Sequence, residues 1–248
     1  MLRSTLRCFT LVTASALLLA VPAHADVPTD VPEPSGARPH FDSVPIPPQC
    51  QVGELRVSPL GTTSLIEAGT EFFQLVDVSQ CPTCQSTRSL MLSDVFWRLR
   101  FAFPCSLSVR VSVVAATPVV GAVDCFAPDP NQVLCQPATY PIVEVESQTS
   151  SHDYDLPIVG GCCIGDRAFI HIEVLARACT GNALSAIYAN PCTPCTQYII
   201  SPTFRGPTMV DQCNGGFNHN YLIWSNAFCC DATPTHGTSW GRLKTIYR

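Results

Sequence analysis

The chain has 248 residues, 46% apolar and only 13% charged, which allows a substantial core and argues against general disorder. Its 14 basic and 19 acidic residues leave it net negative, and Lys244 is the sole lysine. It lacks the clustered positive charge that phosphate backbones demand, so no nucleic acid is expected as a partner.

The chain opens on a secretory pattern. Arg3 and Arg7 form a positive head, an apolar run extends from Phe9 to about Pro22, and Ala23-His24-Ala25 offers a small-residue cleavage site. Residues 1–25 therefore read as a signal peptide, and Asp26 as the new N-terminus. The run is shorter than the roughly 20 residues a membrane helix needs. The next best stretch, Val113 to Val123, is broken by Thr117, Pro118 and Gly121. No transmembrane segment is expected after cleavage, and the product is predicted to be secreted, to the extracellular space or a periplasm. Loss of Arg3 and Arg7 leaves 12 basic residues against 19 acidic ones, a net charge of −7.

Cys8 leaves with the signal, so 14 of the 15 cysteines remain. An even number in an exported chain reads as a disulfide framework. All of Cys50, Cys81, Cys84, Cys105, Cys125, Cys135, Cys162, Cys163, Cys179, Cys192, Cys195, Cys213, Cys229 and Cys230 are assigned as structural disulfide cysteines.

Residues 26–48 carry Pro28, Pro32, Pro34, Pro39, Pro45, Pro47 and Pro48 with almost no apolar periodicity, which predicts an extended linker. The folded part is then 49–248, as one β domain or two packed sub-domains. Within it Trp97, Leu99, Phe101 and Phe103 alternate with Arg98 and Arg100, the pattern of a strand with one buried and one wet face. Leu107, Val109, Val111 and Val113 repeat that pattern after Pro104-Cys105. In a third strand, Arg167 to Arg177, both faces carry apolar residues. Further strands are predicted at Gly53 to Val57, Phe72 to Val78, Ile142 to Val145, Gln197 to Ile200, Tyr221 to Trp224 and Arg242 to Tyr247. Ala183 to Tyr188 reads as a short helix. Strands dominate, and with 22 prolines the expected fold is an all-β, disulfide-stapled antiparallel sandwich, of jelly-roll or immunoglobulin-like topology.

Cysteine spacing carries geometry. Neighbours in an extended strand leave opposite faces, so Cys162-Cys163 and Cys229-Cys230 should each reach two different, distant partners. Cys125 and Cys135 flank the turn signal Pro128-Asp129-Pro130-Asn131 and are candidates to close a local loop. Cys81-Pro82-Thr83-Cys84 and Cys192-Thr193-Pro194-Cys195 allow three chemistries: structural disulfides, zinc and thiol exchange. The 107 residues between Cys84 and Cys192 lack zinc-ribbon spacing, and Gln85 to Leu92 leads into strands instead of forming a redox-motif helix. Structural disulfides are the preferred reading, with no metal and no cofactor.

Catalytic signals are sparse. No Gly-x-Ser-x-Gly elbow occurs. His171 beside Glu173, and His152 with Asp153, are the acid-base pairs on which a secreted hydrolase would be built. Glu144 and Glu146 share a strand face and read as solvating it. Asp129, Asp153, Asp155 and Asp166 lack EF-hand spacing. For sugar binding, His219-Asn220-Tyr221, Trp224 and Trp240 supply aromatic faces and polar edges near Asn214-Gly215-Gly216, with Tyr221, Trp224 and Trp240 as the candidate binding residues.

Cys162-Cys163, Pro194-Cys195-Thr196-Gln197-Tyr198, Asp211, Leu222-Ile223-Trp224 and Cys229-Cys230 give the C-terminal half a signature. By these residues the chain resembles a loose group of uncharacterised secreted bacterial β domains with paired cysteines. The resemblance implies an exported β-sandwich-like module and carries no activity with it. The expected function is a non-catalytic binding or structural module of the cell surface or extracellular space, partnered by a glycan or a cell-surface protein. The alternative is the secreted hydrolase.

Overall fold

Side chains of a strand alternate between two faces, and an apolar face must be covered by a second layer. The computed structural model describes residues 50–56, 60–64, 66–179, 183–203 and 206–230, all within one compact unit, Pro45–Arg248. They build two antiparallel sheets. The first runs β1 (Cys50–Gly53), β13 (Ile223–Cys229), β4 (Leu90–Phe101), β9 (Leu184–Ala189) and β12 (Asn220–Tyr221), with β2 (Leu60–Thr63) on β9 and β7 (His152–Ile164) on β4. The second runs β11 (Val210–Asp211), β10 (Gln197–Ile200), β3 (Glu71–Asp77), β8 (Arg167–Cys179), β5 (Cys105–Pro118) and β6 (Phe126–Glu144). Two 3-10 turns, Val78–Gln80 and Pro82–Cys84, follow β3, and no α-helix occurs among the described residues. This is the expected all-β, disulfide-stapled architecture. The signal and linker assignments, the strand at 242–247 and Trp240 lie outside the described residues. Among those described, no helix is long and apolar enough to cross a membrane.

The core lies between the sheets. Phe72 of β3 meets the ring of Trp97 at 5.1 Å and the edge of Tyr221 at 4.9 Å, and all three are fully buried. Leu99 and Phe101 of β4 pack into the same cluster as Val109, Val111, Ile170 and Ile172 of the second sheet. Burial of each such side chain contributes about 1.5–3 kcal/mol. The period-two reading of β4, β5 and β8 holds, apart from Phe103. β4 ends at Phe101, and Phe103 is 57% exposed in the bend before Pro104.

Two further expectations about elements give way. Ala183 to Tyr188 is no helix: Leu184–Ala189 is β9, paired with β4, β2 and β12, because cross-strand partners override the helix preference of its alanines. The Pro128–Asn131 turn signal falls inside β6, a 19-residue strand with four prolines. An edge strand tolerates proline, since its outward N–H groups have no partner to lose. The turn chemistry survives as an irregularity in the register with β5, where Asp129 accepts from Asn131 N at 3.0 Å and Gln132 Nε2 at 2.6 Å. His152 and Asp153 open β7, which bulges at Gly160 (φ +76°) and Gly161 (φ +70°). Four residues of β7, 158–161, there oppose the single residue Ser93 of β4.

Seven disulfides close the framework: Cys50–Cys81, Cys84–Cys229, Cys105–Cys179, Cys125–Cys195, Cys135–Cys162, Cys163–Cys230 and Cys192–Cys213. Both double cysteines reach distant segments as expected, with Cys162 buried toward β6 and Cys163 exposed on the other face. Neither Cys-x-x-Cys motif closes on itself. Cys125 and Cys135 are not joined: β6 is extended between them, so they point to Cys195 and Cys162 instead. Cys135–Cys162 ties one sheet to the other.

Candidate functional site

Phe96, Arg98 and Arg100 alternate with the core residues of β4 and so stand on the outer face of the first sheet. Phe96 stacks on Trp224 of β13 at 5.4 Å and 16°. The Arg98 guanidinium lies 5.4 Å from the Trp224 ring centroid and bonds both oxygens of Asp153 on β7, at 2.6 and 2.8 Å. A cation over an indole and a two-point carboxylate contact hold this row rigid. Two residues further along β7, burial and the nearby charge of Asp94 push the Asp155 carboxyl above its ordinary range.

Arg100 is exposed and has no ion-pair partner among the described residues. It borders an open groove of about 190 Å³, with Leu60, Gly61, Thr62 and Ile187 along one side and Thr149, Ser150 and Ser151 along the other. His152 Nε2 is 3.4 Å from Ser150 Oγ at the rim. The surface thus offers a cation and four hydroxyls beside the apolar side chains of Leu60 and Ile187. That combination is chemically suited to a polar ligand carrying a negative charge, with an apolar patch for its carbon face.

His171 stands on the outer face of the second sheet. Its Nδ1 lies 3.1 Å from Ser112 Oγ, its Nε2 lies 2.8 Å from Glu71 Oε2, and its ring stacks on Phe73 at 4.3 Å. The carboxylate on His171 is therefore Glu71 of the neighbouring strand β3, while Glu173 is paired with Arg110. Ser112 and His171 are each 7% exposed, and β5 runs between β8 and β6, so the hydroxyl is enclosed by strands.

The remaining predicted residues are dispersed. Tyr221 is fully buried against Phe72, and burial raises its phenol well above the ordinary range. Trp224 is 7% exposed beneath Arg98. His219 and Asn220 are buried at the end of the sandwich, where His219 stacks on Tyr188 at 3.8 Å and Asn220 Nδ2 bonds Glu54 at 3.2 Å. Glu144 accepts from the Tyr154 hydroxyl at 2.5 Å, Asp166 pairs with Arg88, and Asp153 with Arg98, so these acids are spread over separate partners. Three cysteines, Cys50, Cys81 and Cys84, have the closeness of metal ligands, but all are in disulfides. Sequence reading found Trp224 and Asp153, which Arg98 joins on the outer face of the first sheet, and His152, which lies apart from them beside Ser150. It missed Arg98 and Arg100, whose only signal was alternation with core residues, and Thr62, whose short strand β2 has no buried residue to mark it.

No family model matches the chain, and no curated protein matches it. Among solved structures, the cysteine protease and lectin-like domains of Cwp84, a surface layer associated protein of Clostridium difficile, align at 11% identity over 71% of this chain with a TM-score of 0.40. The alignment covers 37% of that structure, so this chain spans little more than a third of its length. A chain from an expanded particle of equine rhinitis A virus, a picornavirus, aligns at 12% identity over 84% of this chain and 96% of its own, with a TM-score of 0.27. Likenesses at this level do not bear on ligand or activity.

Proposed function

We propose that the chain is an exported, non-catalytic binding module that takes an acidic glycan segment in the groove on the outer face of its first sheet. The observation that carries this reading is the exposed Arg100 guanidinium, unpaired among the described residues, beside Thr62, Thr149, Ser150 and Ser151. A charge-assisted hydrogen bond is the strongest single contact such a groove can make with a uronate or sulfate, at about 1.5–3 kcal/mol. The rigid Phe96–Trp224–Arg98–Asp153 row supports the same sheet. Seven disulfides and the leader pattern favour an exported setting.

The test is binding to an array of neutral and acidic glycans. Arg100→Ala should weaken acidic ligands by about tenfold or more, and added salt should weaken the wild type in the same direction. Equal binding by wild type and variant would overturn the groove reading.

The hydrolase reading rests on the Ser112–His171–Glu71 chain, a hydroxyl, an imidazole and a carboxylate in hydrogen-bond contact. Its measure is turnover of ester, peptide or glycan substrates. Loss of turnover in a folded His171→Ala variant would replace the binding reading.

A further inference from the structure

Two of the seven bridges lie side by side. Cys81 is bonded to Cys50 and Cys84 to Cys229, yet the Cys81 and Cys84 sulfurs are only 3.3 Å apart. The sulfurs of Cys50, Cys81 and Cys84 all lie within 4.8 Å of one another. Cys81 and Cys84 are fully buried, whereas Cys50 and Cys229 are half-buried. An external thiol therefore meets the outer two cysteines, and the inner two meet each other. The backbone is already suited to that encounter, because Pro82–Cys84 is a 3-10 turn in which Cys84 N donates to Cys81 O at 2.9 Å. A Cys-x-x-Cys bridge needs such a tight turn.

We propose that these four cysteines form an internal disulfide relay. A small thiolate attacks Cys229 Sγ, forms a mixed disulfide there and expels the Cys84 thiolate. Cys84 then attacks Cys81 Sγ at contact distance, forming the Cys81–Cys84 bond and expelling Cys50, which takes up a proton. Two disulfides exist before and two after: the thiol is capped on Cys229, and Cys50 has become a free thiol. The bridge that fastens the start of β1 is thereby lost, and β1 is left to its four-residue ladder with β13, the Gly53 N to Gln80 Oε1 bond and the burial of Val52. The relay is independent of the groove and of any ligand.

The experiment treats the full oxidised chain with limiting reduced glutathione, quenches with iodoacetamide and maps the peptides. The expected result is alkylation of Cys50 together with a Cys81–Cys84 bridge. Alkylation confined to Cys84, with Cys50–Cys81 intact, would overturn the relay. So would an unchanged set of four cysteines while other bridges are reduced. Two variants test the same step without added thiol. Cys229→Ser should show a free thiol on Cys50, and Cys50→Ser a free thiol on Cys229, with the other five bridges in place. Free thiols confined to Cys84 and Cys81 respectively would count against it. The wild-type measurement stands even where a variant fails to fold.

Discussion

Glu54 and His219 sit within the same buried end of the sandwich and respond to acid for different reasons. Burial pushes the Glu54 carboxyl up, but Arg56 donates its backbone N–H and two guanidinium nitrogens at 2.5–3.1 Å, and Asn220 adds a fourth contact. These donors win and hold the pKa below its ordinary value of 4.5. Its stabilising contribution is present above that value and is lost as pH falls through the lower folded one. For His219, burial against Tyr188 and Tyr221 lowers the pKa below 6.5. Its contribution is complete above 6.5 and disappears as pH falls through the folded value, where the imidazole must charge inside an aromatic stack. The thermal midpoint of the wild type should therefore drop between pH 7 and 5 by more than that of His219→Phe. Equal drops would show that His219 is not the group titrating. The sequence placed His219, Asn220 and Tyr221 together but could not say which way they faced. A two-residue strand sends neighbours to opposite sides, and only its pairing with β9 decides that Tyr221 goes to the core.

Elements were legible where apolar strand-forming residues run on without turn chemistry among them. β4, β5, β8, β3 and β10 met that condition, whereas β6 and β7 did not. Proline in an edge strand and paired glycines in a bulge look like loop chemistry until the neighbouring strands are known. β1 shows how narrow such conditions are. Gly53 has φ +110° and closes β1 against Trp224, and a Cβ there would lie 2.6 Å from Ile223 O and 2.9 Å from Trp224 Cα. Gly160 also has positive φ, +76°, but its Cβ would meet open space. Gly160→Ala should cost about 1–2 kcal/mol from backbone strain alone. Gly53→Ala should cost clearly more, because backbone atoms cannot step aside and β1 must leave β13. Urea unfolding of the two variants separates the cases, and equal midpoints would refute the clash.

For the whole molecule the cross-linking was legible early, since the 14 cysteines from Cys50 to Cys230 read as a disulfide framework. The pairing was not, because it depends on which strands become neighbours: Cys125 finds Cys195 only once β6 and β10 belong to one sheet. Considered as a graph, the bridges have an unequal structure. Cys84–Cys229 spans every peptide bond between those two residues, so a single cut anywhere in that range leaves both pieces covalently joined. Across Pro82-Thr83 no bridge passes, since Cys50–Cys81 lies wholly before it and the other six wholly after. The β5–β6 tip, where Val120 and Val123 are 101% and 90% exposed, is the natural target for a protease. Nicking there should leave the mass unchanged, apart from added water, until a reductant is supplied, whereupon two fragments separate. Fragments parting without reductant would disprove the bridge pattern. From Cys84 to Cys229 the molecule can thus be cut on its surface and remain one piece, whereas a cut at the exposed Pro82-Thr83 bond would part it.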